Sequence, residues 1–314
     1  MTGAQPLTHA LLLTAGLGTR LRPLTLVRAK PALPVAGVPM VRRILRWLAS
    51  SGITDVVLNL HHHPESIAAV VGDAADLGLH VRYSWEQPQV LGSAGGPRQA
   101  LDIVGAESFV LANGDTLTDL ALAPLASAHR ASGALVTMAV VPNQQPDRYS
   151  GLRVDADGAV LGVVPKGSRE PSFHFIGVQI AHRDAFAAAP VDRPSNSIGE
   201  IYDALIASRP GSIRVHHCTA RFWDIGTVAD YWATSHEFAE AELWRDDHVP
   251  SGNDATIDDC LIWDRVRIAP GATLRRCIVT DDVHVAGDAR YAEAILMRGP
   301  DGGTIAEPFS PGPV

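Results

Sequence analysis

Three groups of residues have the types and spacing to handle phosphate. Leu13-Thr-Ala-Gly-Leu-Gly-Thr-Arg-Leu-Arg-Pro-Leu-Thr25 takes the chain out of an apolar run through Ala15, Gly16 and Gly18, so that backbone N–H groups lie bare of side chains and can wrap a phosphate chain. Thr19 and Arg20 follow, and the Arg20 guanidinium suits phosphate oxygens, while Lys30, in Lys30-Pro31, adds a compact charge. Asp115, in Asn113-Gly114-Asp115, follows a second apolar run, and Asp224, in Phe222-Trp-Asp-Ile-Gly-Thr227, precedes a glycine turn. Two carboxylates, with water and phosphate oxygens completing the shell, are what Mg²⁺ favours. The loop is neither of two commoner phosphate motifs. It lacks the Gly-Lys-Ser/Thr ending of a Walker loop, and Leu21 stands where a dinucleotide fingerprint needs a third glycine.

On these residues the first 245 or so positions resemble the sugar-phosphate nucleotidyltransferases, among them mannose-1-phosphate guanylyltransferases, glucose-1-phosphate thymidylyltransferases and N-acetylmuramate-1-phosphate uridylyltransferases. The resemblance implies Mg²⁺ on Asp115 and Asp224, with Ala15, Gly16, Gly18, Thr19, Asn113 and Gly114 along the nucleotide. Leu91-Gly-Ser-Ala-Gly-Gly96 is similar to the family's Leu-Gly-Thr-Ala-Gly segment, which places Gly92, Ser93, Ala94 and Gly95 against base and ribose. Gln87 or Gln89, just upstream, either hydrogen-bonds a base edge or is plain surface. Lys166, in Pro165-Lys-Gly167 where the family has Glu-Lys-Pro, either holds the sugar phosphate or is a solvated surface lysine. Gly177 and Glu200 fall where the family holds the sugar; the asparagine usual before that glycine is missing, with His174 and Phe175 in its neighbourhood.

The reaction so implied joins a nucleoside monophosphate to a sugar 1-phosphate and releases pyrophosphate. GTP with mannose 1-phosphate comes first, and UTP with an N-acetylated or muramyl sugar phosphate is the alternative. A catalytically silent regulatory subunit that binds nucleotide sugars is a third reading, although no phosphate or metal ligand is visibly lost. An acyltransferase activity is disfavoured by the shortness of the C-terminal piece.

Elements able to position these groups are legible. Apolar runs at Ala10–Thr14, Asp55–Asn59, Leu79–Tyr83, Ser108–Ala112 and Ala134–Val141 read as strands. Helical spacing over Val41–Ala49 and Pro64–Val71 falls between them, and Gly95–Leu101 leads into the fourth. The expected fold is α/β, Rossmann-like, with a mixed, mostly parallel sheet whose ligands sit at the carboxyl ends of strands. A hairpin around Asp157-Gly158, strands at Phe173–Ala181 and Ile213–His217, and helices at Ile198–Ser208 and Val228–Leu243 complete a catalytic domain over 1–248. Past Pro250, pairs such as Cys260/Ile262, Val266/Ile268 and Ala272/Leu274 repeat at a six-residue step, slip by one, and resume at Val283/Val285. Such spacing resembles a short left-handed β-helix over 253–298, a piece too small to stand alone that packs on the catalytic domain or on another subunit, through which the chain could self-associate. The Gly- and Pro-rich tail 299–314 reads as flexible.

A formal net charge of -8 argues against binding a nucleic-acid polymer, which needs a basic surface. The start has no basic n-region and no stretch reaches the ~18 apolar residues of a membrane span, so a cytoplasmic protein without a membrane partner is expected. Cys218, Cys260 and Cys277 lack metal spacing and read as reduced thiols. His61-His62-His63 reads as a solvated turn, since consecutive side chains diverge.

Overall fold

The computed structural model describes residues 6–242 and 254–310, which form two compact units. Among the described residues, the first comprises those up to Gly16 and then Arg43–Trp223; the second comprises Leu17–Arg42 and those from Asp224 onward. This division cuts across the expected one: the segment with Arg20 and Lys30 groups with the C-terminal region. The expected boundary at 248–253 and the expected helix end at Leu243 lie outside the described residues.

The first unit is built on a nine-stranded sheet. Four parallel strands form one side in the order Ser108–Asn113, His9–Leu13, Asp55–Leu60, His80–Trp85. Leu11, Leu12, Val56, Leu58, Val110 and Leu111 are almost wholly buried, which is why these strands read as unbroken apolar runs instead of alternating ones. The sheet continues antiparallel through Phe173–His182, which pairs with both Ser108–Asn113 and Val136–Pro142. Ile213–His217 adds parallel to Val136–Pro142. The expected hairpin is present as Gly151–Val154 against Val160–Val164. The sheet is therefore mixed, as expected.

Helices Met40–Ser50, Pro64–Val71 and Gly92–Val104 connect the parallel strands. Pro64 sits in the first turn of its helix, where its missing N–H costs nothing, followed by Glu65 at the positive end of the helix dipole. The helix Leu122–Ser132 has no counterpart in the expectations above; it buries Leu122, Leu125, Ala126 and His129. Over 198–208 the expected helix is regular only from Tyr202, because Ile198 and Gly199 leave helical geometry.

In the second unit, Val228–Ala241 is a helix begun by a capping box between Thr227 and Asp230. After it, short strands stack in parallel: Leu261 lies beside Ile278 and Ile278 beside Ile295, while Thr256, Thr273 and Arg290 form a second ladder and Arg267 and His284 a third. Every partner is seventeen residues on, so each coil consists of two six-residue sides and one of five, which is the one-residue slip in the sequence. Ile262, Val266, Ile268, Ala272, Leu274, Cys277, Val279, Val283 and Val285 fill this solenoid.

The expectation of a flexible tail from 299 needs correction over its described part. Thr304–Pro308 pairs antiparallel with Ala294–Arg298, and the Phe309 ring lies 5.3 Å from that of Trp232. Gly299-Pro-Asp-Gly-Gly303 is the hairpin turn, closed by Gly299 N–H donating to the Gly303 carbonyl at 2.7 Å. Residues 311–314 lie outside the described part.

Candidate active site

In the parallel part of the first unit, strand order reverses between His9–Leu13 and Ser108–Asn113, and ligands of such sheets sit at the carboxyl ends beside that reversal. Ala15, Gly16, Asn113, Gly114 and Asp115 all lie there. Gly114 N–H donates to the Leu13 carbonyl at 2.9 Å, and a Cβ on Gly114 would stand 2.5 Å from that oxygen. Glycine is thus what lets the two strand ends close on each other. Gly177 joins them: it occupies an irregularity in Phe173–His182, with φ +80, and a Cβ there would come within 3.1 Å of Asn113 Nδ2 and Thr116 Oγ1. Of the residues expected at the nucleotide and at the sugar, Asn113 and Gly177 meet here.

Two residues that the sequence reading did not single out hold this end together. Asn59 Oδ1 accepts from Thr14 N–H at 2.6 Å and Ala15 N–H at 3.3 Å. Its amide donates to Glu86 Oε1 at 2.7 Å, and Glu86 Oε2 accepts from Leu91 N–H at 2.6 Å. The polar chain therefore runs from the glycine loop to the Leu-Gly-Ser-Ala-Gly segment. Glu86 is 0% exposed; burial pushes its carboxyl above the usual range, opposed by its bonds from Leu91 and Asn59. The available signal was Asn59 interrupting the apolar run Val56-Val-Leu-Asn-Leu60, since a polar side chain inside a buried strand needs a partner.

Gly92–Gly95 begin the helix Gly92–Val104, but two of their amides are already engaged. The Ser195 carbonyl accepts from Ala94 N–H at 3.0 Å and Gly95 N–H at 3.4 Å, and Ser93 Oγ accepts from Ser197 N–H at 2.9 Å. A Cβ on Gly92 would meet the Ser195 carbonyl at 2.6 Å, and one on Gly96 would strike the Glu86 carboxylate. Small residues here admit the chain's own backbone and carboxylate, whatever ligand they also face. Gln87 and Gln89 are exposed on the preceding turn. Glu200 is exposed, with its carboxylate turned to Asn196, accepting from its N–H at 3.0 Å and its side-chain amide at 2.9 Å; these bonds hold it below the usual carboxylate range.

Lys166 is exposed on a loop pinned by Gly167 N–H donating to the Pro146 carbonyl at 2.8 Å. Close by in sequence, Tyr149 lies 4.1 Å from the His174 ring, which lies 5.0 Å from Phe222. Burial keeps His174 below the usual histidine range. Of the three adjacent histidines, His61 Nδ1 bonds the Glu86 carbonyl and His63 Nδ1 pairs with Glu65, so they do not converge.

In the second unit, Thr19–Leu21 forms a short helical turn that leaves Thr19 and Arg20 exposed and buries Leu21. The Arg20 guanidinium lies against Gly226, two residues past Asp224: a Cβ on Gly226 would be 3.2 Å from Nη1. Gly18 packs on Thr25 and Lys30, and Lys30 is only 7% exposed. Arg20 thus lies beside the turn that follows Asp224 in the chain. Among the described residues, no cluster of three or more His, Cys, Asp or Glu could hold a metal ion. That excludes a site built wholly from such side chains and leaves the one- or two-carboxylate pattern of Mg²⁺ open.

A sequence model of the family described as nucleotidyl transferase matches residues 9–241. The chain belongs to that family. It is 30% identical over 268 residues, 84% of its length and 72% of the relative's, to a mannose-1-phosphate guanylyltransferase of Mycobacterium tuberculosis. It is 29% identical to a UTP–glucose-1-phosphate uridylyltransferase of Synechocystis, over 71% of this chain and 61% of that one. An N-acetylmuramate alpha-1-phosphate uridylyltransferase of Neisseria meningitidis is 40% identical over 111 residues, 35% of this chain and 48% of that one. The fold matches HddC from Yersinia pseudotuberculosis, with a TM-score of 0.64 at 23% identity over 73% of this chain and 98% of that one. Among the described residues no helix is long and apolar enough to cross a membrane. The three cysteines are free thiols.

Proposed function

We propose that this nucleotidyl transferase couples GTP to mannose 1-phosphate, giving a nucleotide sugar and pyrophosphate. The observation that carries the reading is the Arg20 guanidinium seated on Gly226, which supports a phosphate-binding role for Arg20 beside the turn that bears Asp224. The mycobacterial guanylyltransferase supports the substrate pair, because its similarity covers 84% of the chain.

No protein nucleophile is required. An oxygen of the sugar phosphate attacks the α-phosphorus in line, a P–O bond forms, and the bond to the bridging oxygen breaks as pyrophosphate leaves. Two polyanions must approach, so charge neutralisation and positioning supply most of the acceleration. Arg20 and the amides of Ala15–Thr19 hold the β- and γ-phosphates. Lys30 and Lys166 neutralise the charge of the attacking phosphate. Gln87 or Gln89 reads the base edge, with Gly92–Gly95, Asn113 and Gly114 along the nucleoside, and Gly177 and Glu200 serve the sugar. Asp115 and Asp224 would hold Mg²⁺ through hard carboxylate oxygens, and the ion would supply positive charge to the phosphates.

The test is pyrophosphate release across five nucleoside triphosphates and several sugar 1-phosphates, with and without Mg²⁺. Release with GTP and mannose 1-phosphate, lost on chelation, is expected. Preference for UTP with an N-acetylated sugar phosphate would reassign the pair in the direction of the Neisseria relative. Silence throughout would leave a nucleotide-sugar-binding regulatory subunit.

A further inference from the structure

Within the second unit, Lys30 is bracketed by two tethers that lead to the same part of the solenoid. Two residues before it, Arg28 is 7% exposed and grips Asp281 with both ends of its fork, Nε to Oδ2 at 2.5 Å and Nη2 to Oδ1 at 2.6 Å. Nη2 also reaches Asp264 Oδ2 at 2.5 Å. Asp264 and Asp281 are seventeen residues apart, the same position on successive coils, and Asp264 N–H donates to Asp281 Oδ1 at 3.2 Å. The guanidinium lies 5.5 Å from the Trp263 ring centroid, and Nη1 donates to the Ala32 carbonyl at 3.4 Å. Four residues after Lys30, the Pro34 carbonyl accepts from Tyr231 Oη at 2.6 Å, and Tyr231 Oη accepts from Trp263 Nε1 at 2.9 Å.

We infer that the solenoid is a positioning element for the reaction: Asp264, Asp281 and Trp263, acting through Arg28 and Tyr231, fix the backbone on both sides of Lys30. This rests on the assignment of Lys30 to the attacking phosphate. A buried ion pair is a weak source of net stability, because desolvating both charges offsets most of their attraction. A bidentate fork does define direction as well as distance, and a lysine whose ammonium must meet one phosphate needs that definition. Displacement of a charged group by about 1 Å can cost ~100-fold in rate, so a scaffold remote from the chemistry can govern turnover. Arg28, Tyr231, Trp263, Asp264 and Asp281 are positioning residues, since none is assigned a contact with substrate.

The test uses the full-length chain as wild type, Asp281→Asn, Tyr231→Phe and Arg28→Lys, each also combined with Lys30→Met. Hydrogen exchange of the Ala29–Ala36 amides and steady-state kinetics are read at a temperature where every variant is folded. Faster exchange confined to that segment is expected in Asp281→Asn and Tyr231→Phe, with kcat reduced ~10–100-fold. Arg28→Lys, which keeps the charge and loses the fork, should not rescue. In the Lys30→Met background the same substitutions should leave kcat nearly where Lys30→Met alone puts it, because positioning an absent ammonium is worthless; a merely structural role would give additive losses. Additive losses, wild-type kcat in the folded variants, or unchanged exchange in Ala29–Ala36 would each overturn the inference. Should the wild type prove silent with all substrates, the proposed function fails, while the exchange measurements still decide whether the tethers fix the segment.

Discussion

At Gly16 an added Cβ would meet no atom within 4 Å, whereas at Gly96 it would run into the Glu86 carboxylate and the Asn59 amide. Both glycines belong to segments that the sequence presents as ligand-binding loops. At Gly96 the fold itself forbids a side chain. At Gly16 the fold imposes no such demand: φ is not positive there and the surroundings are open. A glycine that the chain's own packing does not require is free for the role proposed for Gly16, that of leaving a phosphate room to approach. Gly18, two residues on, belongs with Gly96, since a Cβ there would be 2.8 Å from Thr25 Cγ2. The Gly-x-Gly pattern therefore divides into one position that the fold requires and one that it leaves open.

The contrast is breakable by substitution. Gly96→Ala has the largest expected effect on stability, ~3 kcal/mol or more, because a methyl group must displace a buried carboxylate and its partners. A Tm close to wild type would remove Gly96 from the packing class. Titrating the opposite end of the sheet tests whether such packing effects stay separate from turnover. There a cavity of about 400 Å³ is lined by Thr8, His9, Glu107, Ser108, His129 and Arg130. His129 donates to or accepts from Thr137 Oγ1 at 2.9 Å, and burial, aided by the charges of His182 and Arg130, brings its pKa down to about 4. The unfolded chain, with an ordinary value near 6.5, binds this proton more readily. Stability is therefore highest above that value and falls as pH drops towards 4, by roughly 2–3 kcal/mol from this one group. Thermal melts from pH 7.5 to 4.5 should show the decline, and His129→Gln should flatten it without altering KM for either substrate; an equally steep decline in the variant refutes the assignment.

Glu86→Gln is the intermediate case. An amide nitrogen would then oppose either the Leu91 N–H or the Asn59 Nδ2, at a cost of ~1–3 kcal/mol. KM for the nucleotide should rise more than KM for the sugar phosphate, since the chain from Asn59 supports Thr14 and Ala15. Equal changes in both would detach Glu86 from the nucleotide loop. Gly16→Ala has the smallest effect on the fold: Tm unchanged or raised by the equivalent of ~0.5 kcal/mol, with nucleotide affinity reduced ~10-fold. A variant that loses stability and keeps affinity would invert the contrast.

The sheet was legible because strands buried on both faces, such as those carrying Leu11 and Leu12 or Val56, Val57 and Leu58, are apolar almost throughout, and the solenoid because its corners recur at a near-regular step. Two things were hidden. Glycine and proline at 299–303 read as disorder, although in a hairpin turn the same residues are structural, and which holds depends on whether Thr304–Pro308 finds a strand to pair with. Asn59 and Glu86, or Arg28 and Asp281, are joined only in three dimensions, 27 and 253 residues apart, so no local pattern announces them. At Gly92–Gly96 smallness was visible, but whether a base or the chain's own backbone approaches it was not.

The most direct test of the account is the turnover of Arg20→Ala. Its side chain is exposed and packs on Gly226, so the variant should fold with a Tm near wild type. Losing a group of this kind costs ~3–4 kcal/mol of transition-state stabilisation, and pyrophosphate release should fall roughly a hundredfold to a thousandfold. Wild-type release from folded Arg20→Ala protein would contradict the role given to the glycine loop and its guanidinium.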